Sequence, residues 1–337
     1  MPKQEPPDRD LLEGHPRYRK LNDLNEGTFG VVMLALDTVT NDRVAIKFLE
    51  RGAGIGRGVL REVLNHRLCV AHPHIVQFRE LFLTHSHLAI VMEFAAGGDM
   101  FDYVIKHKGS GPGEGLPETL ARRFFQQLIF ALDFCQRQGI ANRDIKLENT
   151  LLDDSLPRPN VKLCDFGYSK NEFVDSRPKS VSGTPDYIAP EVLLNDNYDG
   201  KTADIWSCGV MLYVMMTAVL PFAKRGDDRC NNLKRLQQLF PRIVAGQYQA
   251  PRRASDACKH LLQRLLTPDP VQRITVPEIM THPWFTVELP PGLLERNIGL
   301  GNMGVPPQVQ NPEQIEAIVK EARMPQPVQL MRPNWVG

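Results

Sequence analysis

Five side chains whose types and order suit a single reaction stand out in this sequence: Lys47, Glu62, Asp144, Asn149 and Asp165. Asn142-Arg143-Asp144-Ile145-Lys146-Leu147-Glu148-Asn149 puts a carboxylate, a lysine and a carboxamide on one short stretch, and Asp165-Phe166-Gly167 adds a second carboxylate soon after. Phosphoryl transfer needs such a set, because positioning and charge neutralisation do nearly all of its catalysis. Asp144 would accept the proton of an incoming hydroxyl and aim its oxygen. Lys146 would steady the transferring group, while Asn149 and Asp165 would hold Mg²⁺ against the phosphates.

Upstream, Asn25-Glu26-Gly27-Thr28-Phe29-Gly30-Val31-Val32 lies between two strand-like runs, with Asn25, Gly27, Gly30 and Val32 as its nucleotide-facing candidates. Glycine there lets backbone N–H groups approach phosphate oxygens with no Cβ in the way. Alone, the stretch reads as an ordinary hairpin turn. Val44-Ala45-Ile46-Lys47 follows on a strand, where a lysine can neutralise α- and β-phosphates once a carboxylate orients it, and Glu62 on the next helix is the candidate partner. An isolated VAIK is usually a surface lysine. The ordered series of glycines, VAIK, RDxKxxN, DFG and Ala189-Pro190-Glu191 overturns that reading.

The elements that must hold these residues follow from periodicity. Apolar runs VVMLAL and RVAIKFL, broken at Asn41-Asp42, predict antiparallel strands; residues 57–70 change to helical spacing, and IVQFREL and HLAIVMEF predict two more strands. From about residue 99 helical patterns dominate, notably LARRFFQQLIFALDFCQR and ADIWSCGVMLYVMMTAV. The second of these is too short and too interrupted to span a bilayer and reads as a buried core helix. An α+β chain of 337 residues with a small β-rich part ahead of a larger helical part fits one bilobal catalytic unit.

Composition narrows the partners. Forty basic against 39 acidic residues leave a formal charge of +1, which provides no global field for nucleic acid or an anionic membrane. The six cysteines show no CxxC pair and read as reduced thiols, and the polar, Pro-containing start has no apolar leader and no glycine after Met1 for myristoylation. A monomeric protein of the cytoplasm, the nucleus or both is expected.

The ordered motifs resemble the protein kinase superfamily over about residues 18–285. REVLNHRL, HPHIVQF, HLAIVMEFAAGGDMF, DIKLENTLLDD, LCDFGYSK, GTPDYIAPEVLL and YDGKTADIWSCGVMLYVM look specifically like the plant sucrose-non-fermenting-related kinases of group two, which are linked to osmotic stress and abscisic acid. Lys146, with Thr184 ahead of APE, resembles Ser/Thr rather than Tyr kinases. The resemblance implies an N-lobe over about 18–94 and a C-lobe over 95–285, preceded by a flexible N-terminus (1–17). A linker (286–311), a regulatory helix (312–324) and a tail (325–337) follow. It also implies transfer of the γ-phosphate of ATP, with Mg²⁺, to Ser or Thr of protein substrates.

Residue by residue, the resemblance makes Lys47 and Glu62 an ion pair, places Ala45, Met92, Glu93, Ala95 and Leu151 around adenine, and turns Asp99 to the ribose. It pairs Glu191 with Arg273 as a buried support and has Asp204 brace the catalytic stretch. Glu148 and Asp99 resemble the acidic pair that meets a basic residue N-terminal to the phosphoacceptor, and Thr184 would contact Asp144 and Lys146 in the substrate groove. Arg143 needs an anion beside it. DSRPKS resembles the family's segment in which the serines matching Ser176 and Ser180 are phosphorylated, and Ser180 is the first choice for that anion. An upstream kinase and a phosphatase would then be partners.

Three departures carry consequences. Asn25 stands where the family's leading glycine sits, and Asn tolerates unusual torsions better than most residues. Asn142 replaces a His, so a stack through His66, Phe78, Phe166 and residue 142 loses ring volume and holds the active arrangement less firmly. Asp186 stands where Ala is common and adds negative charge beside the substrate groove. A pseudokinase scaffold is the rival reading, but a binding-only protein has no physical need for Lys47, Glu62, Asp144, Asn149 and Asp165 together. Finally, PEQIEAIVKEAR places Ile315, Ile318, Val319 and Ala322 on one apolar face, which predicts a short helix that needs a tertiary partner. The tail MPQPVQLMRPNWVG lacks the acidic segment of hormone-responsive relatives, which points to stress and an upstream kinase as the controls.

Overall fold

A computed structural model describes residues 10–27, 30–111, 113–155, 157–167, 169–171, 185–194, 197–224, 226–227, 231–301, 304–306 and 309–324. The chain divides into two units, Met1–Leu64 with Phe78–Phe94 and Pro307–Gly337, and Asn65–Gln77 with Ala95–Pro306.

In the first unit, strands β1 (Tyr18–Gly27), β2 (Gly30–Asp37), β3 (Arg43–Glu50), β4 (Phe78–Leu83) and β5 (His87–Glu93) form an antiparallel sheet in the order β1-β2-β3-β5-β4. Helix α1 (Arg57–Leu68) follows β3. The strand period of two sorts the side chains. Met33, Ala35, Val44, Ile46, Phe48, Ala89 and Val91 are buried in one cluster with Leu12 and Tyr18. The alternate positions, with Val32 opposite Lys47 and Ala45 opposite Met92, stay partly exposed. Gly30 (φ 107°) admits no side chain, since a Cβ there would lie 2.1 Å from the Phe48 carbonyl oxygen.

The first and last described stretches of the chain pack on this unit. The stretch expected to be flexible through residue 17 is packed from Asp10 on: Leu12 is buried, and Arg17 donates to Asp37 through Nε (2.9 Å) and Nη2 (2.6 Å) and to Glu80 through Nη1 (2.9 Å). From the other end comes α11 (Pro312–Ala322), opened by a reciprocal cap between Asn311 and Gln314. It buries Ile315, Val319 and Ala322 and packs on β4 and β5. Just ahead of it, the Gln310 carboxamide pairs with the backbone of Leu81, accepting from N–H at 2.7 Å and donating to C=O at 3.0 Å. At the helix end, Gly52 N–H donates to the Ala322 carbonyl at 2.9 Å.

The second unit is mainly helical. Helices α2 (Met100–His107) and α3 (Glu118–Arg137) precede the short strands β6 (Ile140–Ala141), β7 (Thr150–Asp153), β8 (Asn160–Leu163) and β9 (Lys170–Asn171). Then come α4 (Pro190–Leu194), α5 (Gly200–Thr217), α6 (Asn232–Val244), α7 (Asp256–Leu265), α8 (Val276–Thr281), α9 (Pro283–Thr286) and α10 (Leu293–Leu300). Helix α5 is apolar nearly all round because it is enclosed by the core, the condition under which a helix carries no polar stripe. Among the described residues no helix is long and apolar enough to cross a membrane.

Two sequence expectations change. The run IVQFREL is not one strand: Val76 N–H donates to the Leu163 carbonyl at 3.0 Å in the second unit, and β4 begins only at Phe78 in the first. The expected linker 286–311 contains α10, whose Asn297 is buried and bonds both His72 (2.9 Å) and Asp133 (2.9 Å). A buried polar group with matched partners anchors a segment whose Pro- and Gly-rich flanks read as loop.

The Arg17 hydrogen bonds hold the fully buried Asp37 carboxyl well below the usual carboxylate range. We expect Asp37→Asn to lower the unfolding free energy by about 1–3 kcal/mol at neutral pH. A depressed carboxyl contributes stability that is present above its unfolded pKa of about 3.9 and is lost as pH falls through the folded value. The gap between wild type and variant should therefore persist from neutral pH to about 4 and close below it; urea unfolding across that range checks this, and a gap that widens on acidification contradicts it.

Candidate active site

The loop carrying Asp144 runs between β6 and β7, and the Asp165 turn runs between β8 and β9. Backbone pairing joins the two: β6 pairs with β9 (Ala141 opposite Lys170) and β7 with β8 (Thr150 opposite Leu163). The loop is shaped from beneath by Asp204 on α5, which is 1% exposed. Its Oδ2 accepts from Asn142 N–H and its Oδ1 from Arg143 N–H, each at 2.7 Å. Burial pushes the Asp204 carboxyl up to about 7, against the pull of these two donors toward the charged form. Arg143 (φ 69°) and Asp165 (φ 63°) both sit in the left-handed region, unusual for side chains with a Cβ and common where a site is over-determined by its surroundings.

Asp144 is buried. Its N–H donates to Asn142 Oδ1 at 3.1 Å, and its Oδ2 accepts from Lys146 Nζ at 2.8 Å and Asn149 Nδ2 at 2.7 Å. Asn149 Nδ2 also donates to the Asp144 carbonyl (3.0 Å), which leaves the carboxamide oxygen as the ligand end of that side chain. Asp165 accepts from Gly167 N–H through Oδ1 at 2.8 Å. The donors on offer are oxygens, as a hard cation requires. No group of three or more His, Cys, Asp and Glu able to hold a metal occurs among the described residues. Such a set fits Mg²⁺, which takes one or two carboxylates and completes its shell with water and phosphate.

Asn142, expected to hold the site less firmly than the His it replaces, is tied into it at both ends. His66 and Phe166 stack with ring centroids 5.0 Å apart and planes 15° from parallel, while Phe78 belongs to the first unit. Fully buried beside them, Asn142 trades ring volume for a two-ended polar tie, accepting from Asp144 N–H and donating through Nδ2 to the Asp165 carbonyl at 2.9 Å. Asp186 does not stand as a bare charge either, because Arg235 Nη2 on α6 donates to its Oδ1.

The remaining candidates are spread over both units. In the first, Lys47 Nζ and Glu62 Oε1 are 2.6 Å apart, each side chain 16% exposed; Asn25 and Gly27 lie on β1 opposite Val32 and Gly30, and Met92 and Glu93 end β5 opposite Ala45 and Val44. In the second, hydrogen bonds from Gly97 N–H to the Leu152 carbonyl (2.7 Å) and from Leu152 N–H to the Gly98 carbonyl (2.8 Å) set Ala95, Asp99 and Leu151 on adjoining stretches. Asp99 also caps α2 by accepting from Asp102 N–H at 2.8 Å. Glu148 is exposed. Burial first, then the Glu148 carboxylate, push the Tyr187 hydroxyl well above the ordinary tyrosine range. Glu191 and Arg273 form a bidentate buried pair at 2.6 and 2.8 Å.

Ser176, Ser180 and Thr184 lie outside the described residues. Ser169 is buried, accepting from Asn65 Nδ2 at 2.9 Å and donating to the Phe166 carbonyl at 2.6 Å, so its hydroxyl is spoken for. One partner escaped the sequence: Arg143 donates through Nε (3.2 Å) and Nη2 to the hydroxyl of buried Tyr198, with the guanidinium 5.4 Å from the ring centre. No local signal links two residues so far apart in the chain.

Residues 18–285 match the family described as protein kinase domain. Over 92% of its length the chain is 46% identical to the serine/threonine-protein kinase SAPK1 of Oryza sativa subsp. japonica, 87% of which is covered. It is 45% identical over 95% of its length to the serine/threonine-protein kinase SRK2D of Arabidopsis thaliana, covering 86% of that protein. Against the serine/threonine-protein kinase SRK2A of the moss Physcomitrium patens the identity is 44% over 93% of the chain and 87% of the relative.

Removing the Asn142 carboxamide strands a buried N–H on Asp144 and a carbonyl on Asp165. Asn142→Ala should lower the unfolding free energy by about 1–3 kcal/mol. Denaturant titration checks it, and a variant as stable as wild type would show that Asn142 is not a tie.

Proposed function

Because the chain belongs to the protein kinase family and, within it, to the group-two sucrose-non-fermenting-related kinases, we propose that its phosphoryl transfer runs on the Asp144 loop. The enzyme is an ATP-dependent protein serine/threonine kinase, and the family uses ATP with Mg²⁺. In this reading the acceptor oxygen bonds to the γ-phosphorus as the bond to the ADP oxygen breaks, and the hydroxyl proton passes to Asp144. Lys146 steadies the transferring group. Asn149 and Asp165 would hold Mg²⁺, which supplies charge neutralisation at the phosphates. Lys47, oriented by Glu62, meets the α- and β-phosphates, with Asn25, Gly27 and Gly30 over them. Val32, Ala45, Met92, Glu93, Ala95 and Leu151 surround adenine and Asp99 meets the ribose. The observation that carries this assignment is Asp144 Oδ2, held at once by Lys146 and Asn149, which ties the proton acceptor, a phosphate contact and a metal ligand into one loop.

The same reading gives the enzyme substrates with basic residues N-terminal to the acceptor, met by Glu148 and Asp99, and a groove closed by Thr184. It works as a monomer in the cytoplasm or nucleus, in stress signalling. An upstream kinase phosphorylates Ser180, with Ser176 as a second site, and a phosphatase reverses the change. The new phosphate gives Arg143 an anion in addition to the Tyr198 hydroxyl. The helix over 312–324 supports activity by bracing the unit that carries Lys47 and Glu62.

With radiolabelled γ-phosphate and a basic peptide, Asp144→Asn should lose about 10²- to 10⁴-fold in kcat with little change in KM for ATP. Incorporation no higher than background in both proteins would instead identify a scaffold. Phosphatase treatment should silence the wild type, and Ser180→Ala should resist reactivation by an upstream kinase that restores the wild type. Full activity of unphosphorylated protein would show that Arg143 needs no phosphate.

A further inference from the structure

The turn Pro185–Tyr187 is bound to the catalytic loop from one side and to α6 from the other. Tyr187 is buried with the Glu148 carboxylate beside it, and its carbonyl accepts from Ser207 Oγ at 2.9 Å. Together with Asp144, Arg143 and Ile188, it lines one small cavity. The turn that carries Asp186 thus borders the same cavity as Asp144. Asp186 sits in the middle of the turn, 13% exposed at the side chain and joined to Arg235, which is 27% exposed.

Among the described residues this pair is electrically closed. The next carboxylate facing Arg235 is Asp227, and that one is held by Arg242 through two hydrogen bonds at 3.1 and 2.9 Å. Packing of α4 on α6 is a separate tie between the same two regions, so the ion pair is not needed merely to keep them together. What it does alter is charge. A bare carboxylate that is mostly out of solvent acts on a passing peptide through a medium that screens far less than water, and a bare guanidinium does the same with opposite sign.

We propose that Asp186 and Arg235 are a specificity-determining pair that keeps the wall beside Asp144 neutral, so that the enzyme takes uncharged residues immediately next to the phosphoacceptor. The inference rests on Asp144 as the proton acceptor. Basic residues in the substrate are then read by Glu148 and Asp99 alone, and Asp186 selects for none. Breaking the pair from either side should expose the surviving charge.

Kinetics on a peptide library varied at the positions flanking the acceptor test this. Arg235→Ala should raise kcat/KM for peptides with Lys or Arg there by about three- to tenfold relative to neutral ones, and Asp186→Ala should favour Asp or Glu by a similar factor. The exchanged pair, Asp186→Arg with Arg235→Asp, should return the neutral preference. KM for ATP should stay unchanged throughout. Should an alanine variant fail to fold, Arg235→Gln and Asp186→Asn remove the charge with less loss of volume and read the same selectivity. Folded variants that keep the wild-type profile overturn the proposal, as does a lower melting temperature with an unchanged profile, which would mark the pair as structural. Asp144→Asn run beside them separates the two readings: transfer that survives in it removes the assignment of Asp144, whereas an inactive Asp144→Asn with unchanged profiles elsewhere removes only the pair.

Discussion

A carboxylate enclosed by protein, Asp204, is the constraint on which the catalytic loop depends. A carboxylate can accept on both oxygens with no donor of its own to place, and Asp204 uses this to take two successive backbone N–H groups, those of Asn142 and Arg143. Two successive N–H groups aimed at one buried group turn the chain sharply, and the left-handed torsion of Arg143 is the result. From that bend the hydrogen bonds run on without a break: Asn142 to Asp144 and Asp165, then Asp144 to Lys146 and Asn149. Each group polarises the next in a low-dielectric setting, so the network holds its geometry as a whole.

The smaller unit is organised differently. Its sheet is sorted by strand alternation, and its cluster of fully buried residues around Ile46 and Phe48 is modest beside the helical core of the second unit. A small core leaves a large share of surface to be covered by other means. Here the first and last described stretches do the covering, the first through Leu12 and Arg17 and the last through Ile315, Val319 and Ala322. The Lys47–Glu62 pair belongs to this unit, so its surroundings are set partly by residues far from it in sequence.

What could be read from the sequence was what short range encodes. The strands around Lys47, the helix with Glu62 and the apolar face of α11 follow from spacing, and the loop with Asp144 follows from three residue types within a few positions. What could not be read depends on partners far along the chain. Asn142 was judged by the ring volume it lacks, because nothing local shows that its amide meets groups at both ends. Asp186 was judged as an added charge, because Arg235 lies in another helix. Helix α10 sits among glycines and prolines and is anchored by the one buried Asn297, and a continuous apolar run such as IVQFREL carries no mark of where one pairing ends and another begins. The Glu191–Arg273 pair came only through family likeness, for the same reason.

Gln310 has one more consequence. Strand β4 is one of the two outer strands of its sheet, and an outer strand offers unpaired backbone groups on which another chain can continue the sheet. At Leu81 those groups are taken by the Gln310 carboxamide, which mimics the donor and acceptor of a neighbouring strand residue; the cap at Asn311 then turns the chain into a helix that cannot pair further. The segment thus covers that stretch of the edge with a single side chain, leaving Leu81 no backbone group to offer another strand.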